Sequence, residues 1–100
     1  MGAEGPVVLV VEDSDTLRHY AVTALQAGGY RVEVATDGRE ALRQYREVNP
    51  EVVVLDVDLP HLDGWEVLQR IREIDSQTPV LMLTASARRR AKSTVKRSSQ

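Results

Sequence analysis

Acidic residues follow directly on apolar runs in this chain. Glu12 and Asp13 end the run Val7 to Val11, Asp56 and Asp58 follow Val52 to Leu55, and Thr84 follows Val80 to Leu83. If the first and third runs are neighbouring parallel strands, three carboxylates converge at one rim. Carboxylates gathered in this way repel one another unless a cation joins them, and a pocket of hard oxygens suits an oxygen-seeking metal. Mg2+ fits best, because it keeps several waters and accepts one or two carboxylates together with a phosphoryl oxygen. Such a rim would hold a nucleophile in Asp56, a metal among Glu12, Asp13, Asp56 and Asp58, and a hydroxyl donor in Thr84. These are the parts of phosphoryl transfer by positioning and electrostatics. Thr84 could equally cap the segment that follows it.

The elements that must position these residues can be read from periodicity. Val7-Val8-Leu9-Val10-Val11 is a continuous β-branched run, the pattern of a parallel strand buried on both faces. Ser14 or Asp15 can cap the next helix, in which Leu17, Tyr20, Ala21, Ala24 and Leu25 recur at helical spacing until Gly28-Gly29. Arg31 to Ala35 alternates as a strand, Asp37 to Val48 carries Ala41, Leu42 and Tyr45 on one helical face, and Asn49-Pro50 breaks it. After the third strand come a loop with Pro60, a helix from about Gly64 to Ile74 with Val67, Leu68 and Ile71 inward, and the strand Val80 to Leu83. Strands and helices in this series predict an α/β fold, a doubly wound parallel sheet with helices on both faces. Its ligands are expected at the carboxyl ends of the strands.

Composition narrows the class further. One hundred residues with 42% hydrophobic content make one domain. There is no cysteine, which excludes a disulfide framework or thiolate chemistry and favours a reducing, cytoplasmic setting. The apolar runs are far shorter than a membrane span, so no membrane partner is expected. Residues 1–85 hold all 15 acidic residues and 7 of the 13 basic ones, a charge of −8, whereas residues 86–100 carry +6. The expected organisation is therefore a body over residues 1–85 and a basic, irregular tail over 86–100. That tail has no aromatic residue to stack on bases, so a solvated segment is favoured over a nucleic-acid contact. His19 and His61 have no partner histidine and read as surface residues. Trp65 reads as a helix-surface residue, Tyr20, Tyr30 and Tyr45 as partly buried, and Met82 as core.

Val-Glu-Asp at 11–13, Leu-Asp-Val-Asp-Leu-Pro at 55–60, Asp63-Gly64 and Leu-Thr-Ala at 83–85 together resemble the receiver domains of two-component response regulators, from about Val7 to Ala85. The resemblance implies a flavodoxin-like sheet of order 2-1-3-4 and a Mg2+ held by Asp13 and Asp56, with Glu12 assisting through water and the backbone carbonyl of Asp58 as a further ligand. It also implies that Asp56 is the phosphoacceptor for a sensor histidine kinase or phosphotransfer protein, that Thr84 binds the phosphoryl group, and that Pro60 and Gly64 shape the loop. The protein would then be a signalling switch rather than a turnover enzyme.

The family continues through a fourth helix, a fifth strand ending in lysine and a fifth helix. Residues 86–100 have Val95 as their single large aliphatic residue, and neither Lys92 nor Lys96 follows an apolar run. A receiver lacking its fifth strand and helix is therefore expected, with self-association through the open edge of strand four. Two rival readings stand beside it. One is a degenerate receiver that no longer signals. The other is a Mg2+-dependent enzyme of the topoisomerase-primase type using Glu12 and the Asp56-Val57-Asp58 pair, which leaves Asp13, Pro60, Asp63-Gly64 and Thr84 unexplained.

Overall fold

Short apolar runs and, in one case, an alternating segment form the strands, and the amphipathic stretches between them form the helices. The computed structural model describes residues 5–83. In chain order these are β1 (Val7–Val11), α1 (Asp15–Ala27), β2 (Arg31–Ala35), α2 (Gly38–Val48), β3 (Val52–Asp56), α3 (Gly64–Ile74) and β4 (Val80–Leu83). The expected boundary at residue 85 and the tail beyond it lie outside the described residues, as does Thr84.

The strands form one parallel sheet in the order β2-β1-β3-β4, as the resemblance implied. The register places Val8 beside Val52 and Val11 beside Leu55, so β1 and β3 end level with each other. Parallel neighbours need a crossover, and each helix supplies one. Caps set the helix ends. The side chains of Ser14, Asp37 and Asp63 accept hydrogen bonds from the backbone N–H groups of Leu17, Glu40 and Glu66. Gly28 ends α1, followed by Gly29 at φ 93°, a conformation that glycine adopts without a Cβ clash. Asn49 ends α2 in the left-handed region, just before Pro50.

The side-chain period of two divides the sheet. Leu9, Val11, Val53 and Leu55 face α2 and α3, where they meet Ala41, Leu42, Tyr45, Val67 and Ile71 in one core. Burying each larger aliphatic side chain stabilises the fold by roughly 1.5–3 kcal/mol. Val8 and Val10 are buried on the other face, where α1 packs on β1 and β2.

Burial departs from expectation on that α1 face. Tyr20 is 75% exposed and Tyr30 42%, so neither is the partly buried residue that their spacing suggested, and α1 buries no residue fully. Leu17, Ala21 and Leu25 form the stripe that rests on the sheet, and Tyr20 stands one position, about 100° of helix, off it. Val80 and Met82 pack on the core, while Leu81 between them is 58% exposed. Trp65 is 55% exposed, and His19 and His61 are exposed, as expected.

A polar network closes the rim of the sheet opposite the strand ends. The buried Tyr45 hydroxyl meets Thr78 Oγ1 at 2.8 Å, Thr78 Oγ1 donates to Asp75 Oδ2 at 2.9 Å, and Arg72 Nη1 donates to the Thr78 carbonyl at 2.6 Å. The Gln77 backbone N–H, the Thr78 hydroxyl and Arg72 together hold the Asp75 carboxyl below the usual carboxylate range, although partial burial opposes them.

Candidate metal and phosphoacceptor site

Because β1 and β3 are adjacent and in register, the first residues beyond their apolar runs meet. Glu12, Asp13 and Asp56 each offer a carboxylate oxygen, and these atoms lie within 4.8 Å of one another. Glu12 and Asp56 are almost fully buried, at 3% and 0% exposure, whereas Asp13 stands at the surface. A carboxylate is costly to bury without compensating charge or hydrogen bonds. The site supplies hydrogen bonds from its own backbone: the Ser14 N–H donates to Glu12 Oε2 at 3.0 Å and the Asp58 N–H to Asp56 Oδ1 at 3.1 Å.

The loop after β3 is held by the residues singled out in the sequence. Val57 N–H extends the ladder to the Leu83 carbonyl at 2.9 Å, and the Gly64 N–H returns to the Val57 carbonyl at 2.8 Å. A Cβ on Gly64 would sit 2.3 Å from the Asp56 carbonyl oxygen and 2.7 Å from Val57 Cα. Glycine is therefore required for α3 to begin directly against the end of β3. Asp63 caps that helix, accepting from the Glu66 N–H at 3.0 Å. Between Pro60 and Leu62, whose N–H donates to the Pro60 carbonyl at 2.8 Å, His61 takes a positive φ of 71°.

Among the described residues, the acids that come together are Glu12, Asp13 and Asp56. Asp58 enters differently: its backbone N–H serves Asp56, and its carboxylate is not part of the group. Thr84 is one residue past Leu83, which pairs with Asp56 in the sheet register, and lies outside the described residues. Sequence reasoning missed Arg18. Its Nη1 donates to the Glu12 carbonyl at 2.9 Å, and its Nη2 pairs with the Asp15 carboxylate. The spacing of Asp15 and Arg18, one helical turn, carried the signal for the ion pair but not for the carbonyl contact.

A doubly wound parallel sheet of this class takes its ligands at the carboxyl ends of its strands, and here the central strands end in a group of carboxylates that could hold a metal ion. The family comparison narrows this. The response regulator receiver domain matches residues 8–98. The transcriptional regulatory protein TrcR of Mycobacterium tuberculosis is 49% identical over 78 residues, which are 78% of this chain and 30% of that protein. This chain thus spans under a third of TrcR. Among solved structures, the receiver domain of the Francisella response regulator 1452 matches with a TM-score of 0.77 at 36% identity, covering 81% of this chain and 67% of that one. The receiver domain of the sensor histidine kinase PA1611 of Pseudomonas aeruginosa, solved with a magnesium ion coordinated in its active site cleft, matches with a TM-score of 0.79 at 32% identity over 83% of this chain and 70% of that one.

The chain belongs to the response regulator receiver family, and it is a receiver domain of two-component signalling. Members of that family are signalling switches rather than classical enzymes. The acidic group of Glu12, Asp13 and Asp56 fits the metal and phosphoacceptor site of such a domain, and the degenerate reading is not favoured. No described helix is long and apolar enough to cross a membrane.

Proposed function

We propose that Asp56 accepts a phosphoryl group from the phosphohistidine of a sensor kinase or phosphotransfer protein, with Mg2+ held by Glu12, Asp13 and Asp56 and by the backbone carbonyl of Asp58. The observation that carries this is the convergence of three carboxylate oxygens within 4.8 Å on two rigid strand ends. Their chemistry is all hard oxygen, which fits Mg2+ rather than a metal that prefers nitrogen or sulfur. When bound, the ion would offset the charge on the phosphoryl oxygens.

The chain's own residues do the rest. A carboxylate oxygen of Asp56 forms the new O–P bond while the N–P bond of the donor breaks and its imidazole leaves as the neutral ring after taking up a proton. The Asp58 N–H, on Asp56 Oδ1 at 3.1 Å, helps to orient the carboxylate. The Thr84 hydroxyl would bind a phosphoryl oxygen, and the resulting shift between conformations is the signal. A cytoplasmic location goes with this reading. Self-association is part of the proposal too. Leu81, 58% exposed on the outermost described strand, supports it.

The test is incubation with Mg2+ and acetyl phosphate, followed by intact-mass measurement. A gain of one phosphoryl group that is absent in Asp56→Asn and in EDTA is expected. No gain in the wild type, or an equal gain in Asp56→Asn, overturns the assignment.

A further inference from the structure

Arg18 sits on the first turns of α1, outside the acidic group, and reaches back to the loop that carries it. Its Nη1 donates to the backbone carbonyl of Glu12 at 2.9 Å and its Nη2 pairs with Asp15. The Arg18 side chain is 19% exposed and that of Asp15 91%. The arginine is thus packed in place, and the Asp15 pair is its solvent-screened arm. The same short loop is held from other sides. The Ser14 N–H donates to Glu12 Oε2 at 3.0 Å, Ser14 Oγ accepts from the Leu17 N–H at 3.3 Å, and the Ser14 carbonyl accepts from the Arg18 N–H at 2.9 Å.

The carbonyl that Arg18 grips belongs to the peptide plane joining Glu12 to Asp13. Because that plane is rigid, fixing its oxygen fixes ψ of Glu12 and φ of Asp13 together, and with them the direction in which the Asp13 side chain leaves the backbone. We infer that Arg18 is a positioning residue for the acidic site: through the Glu12 carbonyl it aims Asp13 at the ion that Glu12 and Asp56 share. The inference rests on the proposed Mg2+ site.

Two effects of opposite sign separate this role from a bland one. A guanidinium near three carboxylates repels an incoming cation, so as a charge alone Arg18 would weaken Mg2+ binding, and its removal would tighten it. As the clasp on the loop it strengthens binding, and its removal would loosen it. Lysine keeps the charge but cannot bridge a carbonyl and a carboxylate with one planar fork.

The experiment is a calorimetric Mg2+ titration of the full chain as wild type, Arg18→Met, Arg18→Lys and Asp15→Asn. Thermal unfolding and amide hydrogen exchange at Ser14 are measured alongside in EDTA. Both Arg18 variants are expected to raise the Mg2+ Kd by at least about tenfold, the usual scale for groups that orient metal ligands. They are also expected to speed Ser14 exchange. Asp15→Asn, which leaves the carbonyl contact in place, should shift Kd by less than about threefold. Arg18→Lys binding like the wild type, or Arg18→Met binding more tightly, overturns the inference. If Arg18→Met does not unfold cooperatively, Arg18→Lys decides alone. If the wild type binds no Mg2+, the proposed function fails, and Ser14 exchange in the metal-free variants still judges the clasp: unchanged exchange overturns it.

Discussion

Replacing Asp13 by Asn should make the metal-free protein more stable and the Mg2+-loaded protein less so. The three carboxylate oxygens lie within 4.8 Å of one another. At that separation two unit charges repel by roughly 3 kcal/mol at an effective dielectric constant of 20 and by about 1 kcal/mol in bulk water. Asp13 is exposed, so the water-like value applies. Removing its charge relieves its repulsion with Glu12 and with Asp56, about 1–2 kcal/mol in all. For a domain of this size that is a rise in Tm of at least about 4 °C in EDTA. Mg2+ acts in the opposite direction. At a hundred times its Kd a ligand stabilises the fold that binds it by about 2.7 kcal/mol, and Asp13→Asn should forfeit most of that gain. Differential scanning calorimetry in EDTA and in saturating Mg2+ should therefore show the order of the two proteins reversing. A variant less stable than the wild type in EDTA, or stabilised by Mg2+ as strongly as the wild type, would refute the shared site.

Three further outcomes are expected. Asp75→Asn should destabilise the protein at neutral pH, because a carboxyl held below its ordinary value contributes stability above that value and loses it as pH falls through the folded one. Urea unfolding should show the difference from wild type present at about pH 6 and shrinking below about pH 4, and a constant difference would contradict the network. Gly64→Ala places a Cβ 2.3 Å from the Asp56 carbonyl oxygen. It should cost about 1–3 kcal/mol by urea unfolding and slow phosphorylation by acetyl phosphate; an unchanged midpoint would refute the close approach. Light scattering at increasing concentration should show an oligomer that Leu81→Lys reduces, and a monomer throughout would remove the proposed self-association.

Much of the fold was legible because its signals are local. The β-branched runs that end in acid, the cap at Ser14, and the stops at Gly28 and Asn49-Pro50 act within a few residues of themselves. Strand adjacency is not local, so the meeting of Glu12 and Asp13 with Asp56 stayed conditional until β1 and β3 were seen paired. What the sequence hid are contacts between side chain and backbone across elements. Arg18 on the Glu12 carbonyl and the Asp58 N–H on Asp56 depend on loop conformation, which no periodicity encodes. The Tyr45 hydroxyl finds Thr78 across 33 positions of chain, so spacing distinguished it poorly from the exposed Tyr20. Tyr20 misleads because an apolar residue one step off the buried stripe still fits a helical pattern.

Whether the ends of β1 and β3 share one divalent ion is tested most directly by adding substoichiometric Mn2+ in place of Mg2+ and following the backbone amide NMR signals. Selective broadening at residues 12–14 and 56–58, displaced by excess Mg2+ and lost in Asp13→Asn, is the expected result. Broadening centred elsewhere, or unchanged in Asp13→Asn, would contradict a shared ion.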